Sequence, residues 1–145
     1  MSNFEVAKRF EDFLESRDLV GLQALLADDF RAKGGTLELV KQQALGYLRI
    51  FFTAFPDHSF GFADFDEKGD LVYCTGQETG THKGVLDLHP LGMLVSLPPT
   101  GKSFTLPKSK FTFRVTGDKV MYFSEEPVKG GGLAGILEQL GVKLP

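Results

Sequence analysis

Two hydrophobic periods divide this chain. Up to Phe55 the apolar residues recur mainly at helical spacing, and from Asp57 onward they alternate with polar ones. Ser2-Asn3-Phe4-Glu5 fits a capping box, so a first helix starts there, with Val6, Phe10, Phe13 and Leu14 as its apolar stripe. Asp18 is placed to cap a second, shorter helix carrying Leu19, Leu22, Leu25 and Leu26, and Phe30-Arg31-Ala32 reads as a short strand. Thr36 is predicted to open the longest helix, ending near Phe55 because Pro56 discourages continuation. Its apolar face is wide enough to require packing over most of its circumference.

The alternating half begins with His58, Phe60, Phe62 and Asp64 on one side of a strand. Glu67-Lys68-Gly69-Asp70 then makes a turn into a second, antiparallel strand. That second strand, Asp70 to Gly84, organises the reading. Alternate residues share a face, so Val72, Cys74, Gly76, Glu78, Gly80 and His82 look one way. The face begins apolar, carries two residues without side chains, and ends with an acid and a histidine, which suits the wall of a pocket. Gly84 to Lys102 is too broken by prolines for one element yet too apolar for a free loop, and reads as a flap or a dimer contact. Ser103 to Val115 is predicted as another long strand, Thr116-Gly117-Asp118 as a turn, and Val120 to Ser124 as its partner. A last helix holds Leu133, Ile136, Leu137 and Leu140. No repeat or linker divides residues 1–145, so a single domain is expected, with helices on one face of an antiparallel sheet.

Composition narrows the classes. Sixteen Lys and Arg against nineteen Asp and Glu leave a net charge of -3, which offers no footprint for nucleic acid. There are fourteen phenylalanines and no tryptophan, a composition that fits either a Phe-rich core or a greasy cavity. Cys74 is single and reads as a small buried hydrophobe. The three histidines, 58, 82 and 89, follow no metal-ligand spacing, so no metal is expected. No run is long enough to span a bilayer and the first residues hold no signal-peptide core, so no membrane is expected and the cytoplasm is the predicted location.

The order of several short motifs resembles the SnoaL-like polyketide cyclases, within the larger group related to nuclear transport factor 2. The residues are Phe55-Pro56-Asp57, Gly69-Asp70-Leu71-Val72, Thr79-Gly80-Thr81-His82-Lys83-Gly84, Pro98-Pro99-Thr100-Gly101-Lys102, Phe113-Arg114 and Gln139-Leu140-Gly141. The resemblance implies an α+β fold in which a cone-shaped, curved antiparallel sheet closes as a barrel, with N-terminal helices on its concave face. It also implies homodimers, and an aldol condensation that closes a ring of an aromatic polyketide ester without metal or organic cofactor. In the family an aspartate shortly before the Phe-Arg pair is acid and base; here Phe111 holds that position.

His82 matches the family's histidine and titrates near neutrality, so it is the surviving candidate for the proton-transfer group, assisted by Glu78 on the same face. The alternative for His82 is a hydrogen bond to neighbouring backbone, and for Glu78 a pairing with Arg114 or Lys110. Phe10, Leu14, Tyr47, Phe51, Phe111, Phe113 and Tyr122 are the expected lining for a small hydrophobic ligand. Two functions stay open: a cofactor-free cyclase or isomerase, and a non-catalytic binding or dimerisation module that has lost the aspartate. Glu125 and Glu126, beside Pro127, are expected in solvent.

Overall fold

A computed structural model describes residues 1–142. Helices α1 (Asn3–Glu15) and α2 (Leu19–Leu25) lead into strand β1 (Leu26–Gly34), hairpin partner β2 (Leu37–Val40) and helix α3 (Lys41–Ala54). Strands β3 (Ala63–Lys68), β4 (Leu71–Gly76), β5 (Thr79–Thr81), β6 (Leu86–Asp87), β7 (Ser96–Leu97), β8 (Ser103–Thr105), β9 (Ser109–Thr116) and β10 (Lys119–Glu125) follow, and helix α4 (Gly132–Gln139) comes last.

The helix starts obey local chemistry. Ser2 Oγ accepts from the Glu5 amide at 3.1 Å and Asp18 Oδ1 from the Gly21 amide at 2.8 Å, satisfying amide groups that a first helical turn leaves free. Helix α3 starts later than its sequence suggests. Gly35, at φ 57°, and Thr36 form a turn, and Leu37–Val40 pair with β1 instead of coiling. The Gln43 side chain then accepts from the Val40 amide at 2.9 Å, at the start of the helix.

Six strands form one sheet in the order β2-β1-β10-β9-β4-β3, and two further pairs, β5-β8 and β6-β7, stand apart. This corrects the expected cone. The large sheet is open, with β2 and β3 as unjoined edges, and among the described residues no sheet closes into a barrel or curls strongly. Nor is it wholly antiparallel, since β1 and β10 run parallel. The two long strands read from the sequence are each broken. Gln77 and Glu78 separate β4 from β5, and Leu106 to Lys108 separate β8 from β9 around Pro107, which has no N–H for a ladder. As a result β4 pairs with β9 in the large sheet while β5 pairs with β8 in another.

Two hydrophobic clusters result. The first joins α1, α2 and the first half of α3 to the large sheet through Val6, Phe10, Leu14, Leu45, Val72, Phe111 and Phe113. The second gathers Phe51, Ala54 and Phe55 of α3 with Leu86, Leu88, Phe104, Leu106 and the Ile136 and Leu137 of α4. The 85–98 segment, expected as a flap or dimer contact, folds as the β6–β7 hairpin. Its Leu86 and Leu88 are fully buried in the second cluster, while Leu94 stands out in solvent. Among the described residues no helix is long and apolar enough to cross a membrane.

Candidate functional site

Between α1, α2, α3 and the large sheet lies a cavity of about 390 Å³, within the usual range for small-molecule sites. Its walls are mostly apolar: Phe10 and Leu14 from α1, Leu37 and Leu39 from β2, Tyr47 and Leu48 from α3, Phe60, Phe111 and Phe123. Polar groups enter through Tyr47, Glu78 and Glu125, with Lys33 and Thr36 on the β1–β2 side. Gly76 keeps the Phe111 ring in place, because a Cβ there would come within 2.7 Å of it.

Glu78 is 7% exposed and sits where the chain leaves β4. Its Oε2 is 2.8 Å from His58 Nε2, and the ring N–H is placed to donate to the carboxylate. This replaces the expected pairing of Glu78 with Arg114 or Lys110: Arg114 is exposed and lies near Asp70 instead. His58 is itself buried and fixed from several sides. Its ring packs edge-on to Phe51 and Phe60, with centroids 5.7 and 4.8 Å away. The Arg17 guanidinium donates to the carbonyls of His58 at 2.7 Å and Pro56 at 2.8 Å, tying the α1–α2 connection to this segment. The predicted strand through His58 is absent; a bridge between Ser59 and Thr79 and the Asp57 carboxylate on Thr81 join that segment to β5.

His82 shares its face with Glu78 and is fully buried, yet it does not line the cavity. It lies in the second cluster beside Phe55, with ring centroids 5.5 Å apart. Nδ1 accepts from the Thr100 amide at 3.2 Å and sits 3.0 Å from Thr100 Oγ1, so the ring proton belongs on Nε2, which has no partner among the described residues. Burial lowers its pKa. The split between β4 and β5 accounts for the separation: the same face turns from one cluster into the other.

Of the expected lining residues, Phe10, Leu14, Tyr47 and Phe111 reach the cavity, and Phe51, Phe113 and Tyr122 do not. Phe51 is packed in the second cluster. Phe113 lies under Phe10 and Phe123, at 5.1 and 5.0 Å between centroids. Tyr122 is excluded by a register shift. Val120 pairs with Val115 but Tyr122 with Arg114, so Met121 is an extra residue and the parity of β10 changes there. Phe123 and Glu125 therefore face inward. Strict alternation from Val120 missed both, and neither carries a local signal that would have revealed the bulge.

Glu125 is half-buried. Ser109, itself buried, donates to its Oε2 at 2.8 Å. Burial raises the Glu125 pKa, the Ser109 bond opposes the rise, and the charge of Glu78 adds to it. Burial likewise raises the Tyr47 pKa well above the ordinary phenol value, with Glu78 and Glu125 adding to it, so its hydroxyl stays protonated and can donate. Asp57 is occupied elsewhere, accepting from the Thr81 amide at 2.7 Å and hydroxyl at 2.8 Å. Buried Cys74 has its thiol pushed up to about 12 by burial, which leaves it inert as a nucleophile. Among the described residues no three His, Cys, Asp or Glu side chains converge as a metal site.

The sequence pattern of the SnoaL-like polyketide cyclase family matches residues 4–122. Among solved structures the chain is similar to IdmH, a proposed polyketide cyclase from Streptomyces antibioticus, at TM-score 0.71 and 22% identity, covering 98% of this chain and 100% of that one. It is also similar to AclR, a proposed hydroxylase from Streptomyces galilaeus, at TM-score 0.74 and 19% identity, covering 99% and 97%. A nuclear transport factor 2-like protein of unknown function from Burkholderia pseudomallei aligns at TM-score 0.71 and 18% identity, covering 96% and 98%. At such identities these likenesses speak for the fold alone. No curated protein matches the sequence.

Proposed function

Because the chain belongs to the SnoaL-like polyketide cyclase family, we propose that its cavity binds a small, mostly apolar carbonyl compound and moves a proton on it, with Glu78 as the base. The observation that carries this reading is the buried His58–Glu78 pair set into the wall of an apolar cavity. A carboxylate held by one ring N–H and otherwise facing apolar surroundings is oriented and poorly hydrated, two conditions that favour removal of a carbon-bound proton. Tyr47, protonated and lining the same cavity, is the donor for a carbonyl oxygen that gains charge as the proton leaves. Proton removal next to a carbonyl is the step shared by isomerisation and aldol ring closure. His82, the base expected from the sequence, is replaced in this role by Glu78, with His58 as its positioning residue.

The test is exchange of the α-protons of 2-tetralone, a compact apolar ketone, with solvent deuterium, followed by NMR. The wild type should accelerate exchange over buffer, and Glu78→Gln should lose about 10²-fold or more of that acceleration while still binding the ketone. Exchange that persists in Glu78→Gln would remove Glu78 as the base.

One observation favours a second reading, a binding module without catalysis. The resemblance puts Phe111 where the family has its aspartate, and the ring stacks against Phe123, with centroids 5.5 Å apart and planes at 18°. That stack is suited to gripping a flat ligand. Binding of 2-tetralone without any exchange supports the module.

A further inference from the structure

The cavity holds a second carboxyl group that the base does not need. Glu125 enters from β10, on the side the Met121 bulge turns inward, and Ser109 of β9 fixes one of its oxygens. Glu78 enters from the β4–β5 connection and His58 fixes one of its oxygens. Each carboxyl thus has one anchored oxygen, and both line one mostly apolar space with Tyr47. Two carboxylates cannot both ionise at little cost in such a place. The ring N–H of His58 supports the charge on Glu78, whereas Glu125 has only a neutral hydroxyl.

We propose that Glu125 is the acid of this site, donating to the oxygen of a carbonyl compound whose α-proton Glu78 removes. The proposal rests on the acid–base reading above and names the residue that completes it. Glu78 takes the proton from carbon, the C–H electron pair becomes the C=C bond of an enol, and the carbonyl π pair moves to oxygen. Glu125 then protonates that oxygen. Return of a proton from Glu78 to carbon and of the enol proton to Glu125 restores both groups, so no other reactant is consumed. In a ring closure the oxygen to be protonated is that of the carbonyl under attack. The substrate class is therefore a compound whose polar end presents its carbonyl oxygen to Glu125 and Tyr47 and its α-carbon to Glu78, while its apolar body lies along Phe60, Phe111 and Phe123.

The titratable groups that share the cavity with Glu125 are Glu78, Tyr47 from α3 and Lys33 from β1; α4 and the turn before it contribute only Gly131, Gly132, Leu133 and Ala134. Lys33 is exposed, and among the described residues no lysine or arginine forms an ion pair with Glu78 or Glu125. The burial that raises the Glu125 pKa agrees with a protonated acid.

The probe is 2-tetralone, whose carbonyl oxygen can only accept a hydrogen bond and whose charge does not change with pH. Its affinity is measured by calorimetry from about pH 4 to about pH 8 in the wild type, Glu125→Gln, Glu125→Leu and Glu78→Gln. The wild type should lose roughly fivefold or more of its affinity as pH rises and Glu125 gives up its proton. Glu125→Gln, which keeps a donor but cannot titrate, should hold the low-pH affinity at every pH. Glu125→Leu should bind weakly throughout. A wild-type profile that is flat, a slope that survives in Glu125→Gln, a slope that fails to move to lower pH in Glu78→Gln, or no binding of the probe would each overturn the proposal. Deuterium exchange of 2-tetralone separates the two claims. Exchange with no pH slope leaves the base and removes the acid; a slope with no exchange leaves the donor at Glu125 and removes the base.

Discussion

Two buried histidines sit among the greasy clusters of this protein; neither lines the cavity, and only His58 reaches it, through Glu78. His58 pairs with Glu78 at the wall of the cavity, while His82 is enclosed by Phe55 and the Thr100 loop. Both side chains are shielded from solvent, and both are held by hydrogen bonds. The difference is what lies beyond them. Beyond His58 a carboxylate opens onto room for a guest; His82 does not line that space. Burial perturbs a titratable group in either setting, but chemistry also needs a place for the reacting atom.

Changes to the two histidines should therefore separate. The largest effect is expected for His58→Leu, which strands Glu78 as an unpaired buried carboxylate. Thermal or denaturant unfolding should show a loss of about 3 kcal/mol or more, together with loss of α-proton exchange. Replacing both partners, His58→Leu with Glu78→Leu, should recover about 1 kcal/mol or more of that stability with exchange still absent. A double variant no more stable than the single one would mean that the pair is not coupled as described.

On the other side, Gly84→Ala tests the packing that closes the second cluster. The Gly84 and Lys83 amides both donate to the Ala54 carbonyl, and a Cβ at Gly84 would meet the Thr53 carbonyl oxygen at 2.0 Å. The backbone must move, at about 1–3 kcal/mol, while exchange stays close to wild type. His82→Leu should cost about 1–2 kcal/mol at neutral pH by leaving the Thr100 amide without an acceptor, again with exchange intact. A large loss of exchange in that variant would restore His82 as a participant.

The smallest effect is in the pH dependence of stability. Burial lowers the His82 pKa in the folded protein, so the unfolded chain binds a proton there first as pH falls. The stability linked to neutral His82 is present above about pH 6.5 and is lost as pH drops below it. The stability gap between wild type and His82→Leu should therefore narrow on acidification, as measured by unfolding midpoints from about pH 7 to about pH 5. A gap that widens would contradict the lowered value.

Parts of this site are legible in the residues. The alternation from Val72 to His82 reads directly as one buried face, and Glu78 is on it. Phe10 and Leu14 fall on the apolar stripe of a capped helix, and Tyr47 on a helix with a wide apolar face. The partner of Glu78 is not legible. His58 lies twenty residues earlier, in a stretch whose alternation of Phe60 and Phe62 suggests a strand, and only the docking of that stretch against β5 and Arg17 brings its ring to Glu78. Glu125, beside Pro127 at the end of a strand, reads as solvated; the bulge at Met121 turns it inward, and strand propensity does not encode a bulge.

The sequence by itself determined the family, the capped helices, the turn at Gly69 and the apolar face that ends in Glu78 and His82, because all of these depend on neighbours in the chain. Only the tertiary structure decided that the large sheet stays open, that its β1–β10 pairing is parallel, and that Glu78 and His82 part into different clusters. Those outcomes depend on strand partners far apart in sequence. Periodicity states which face of an element is apolar; which other face covers it, and whether a gap remains between them, is fixed when the elements pack.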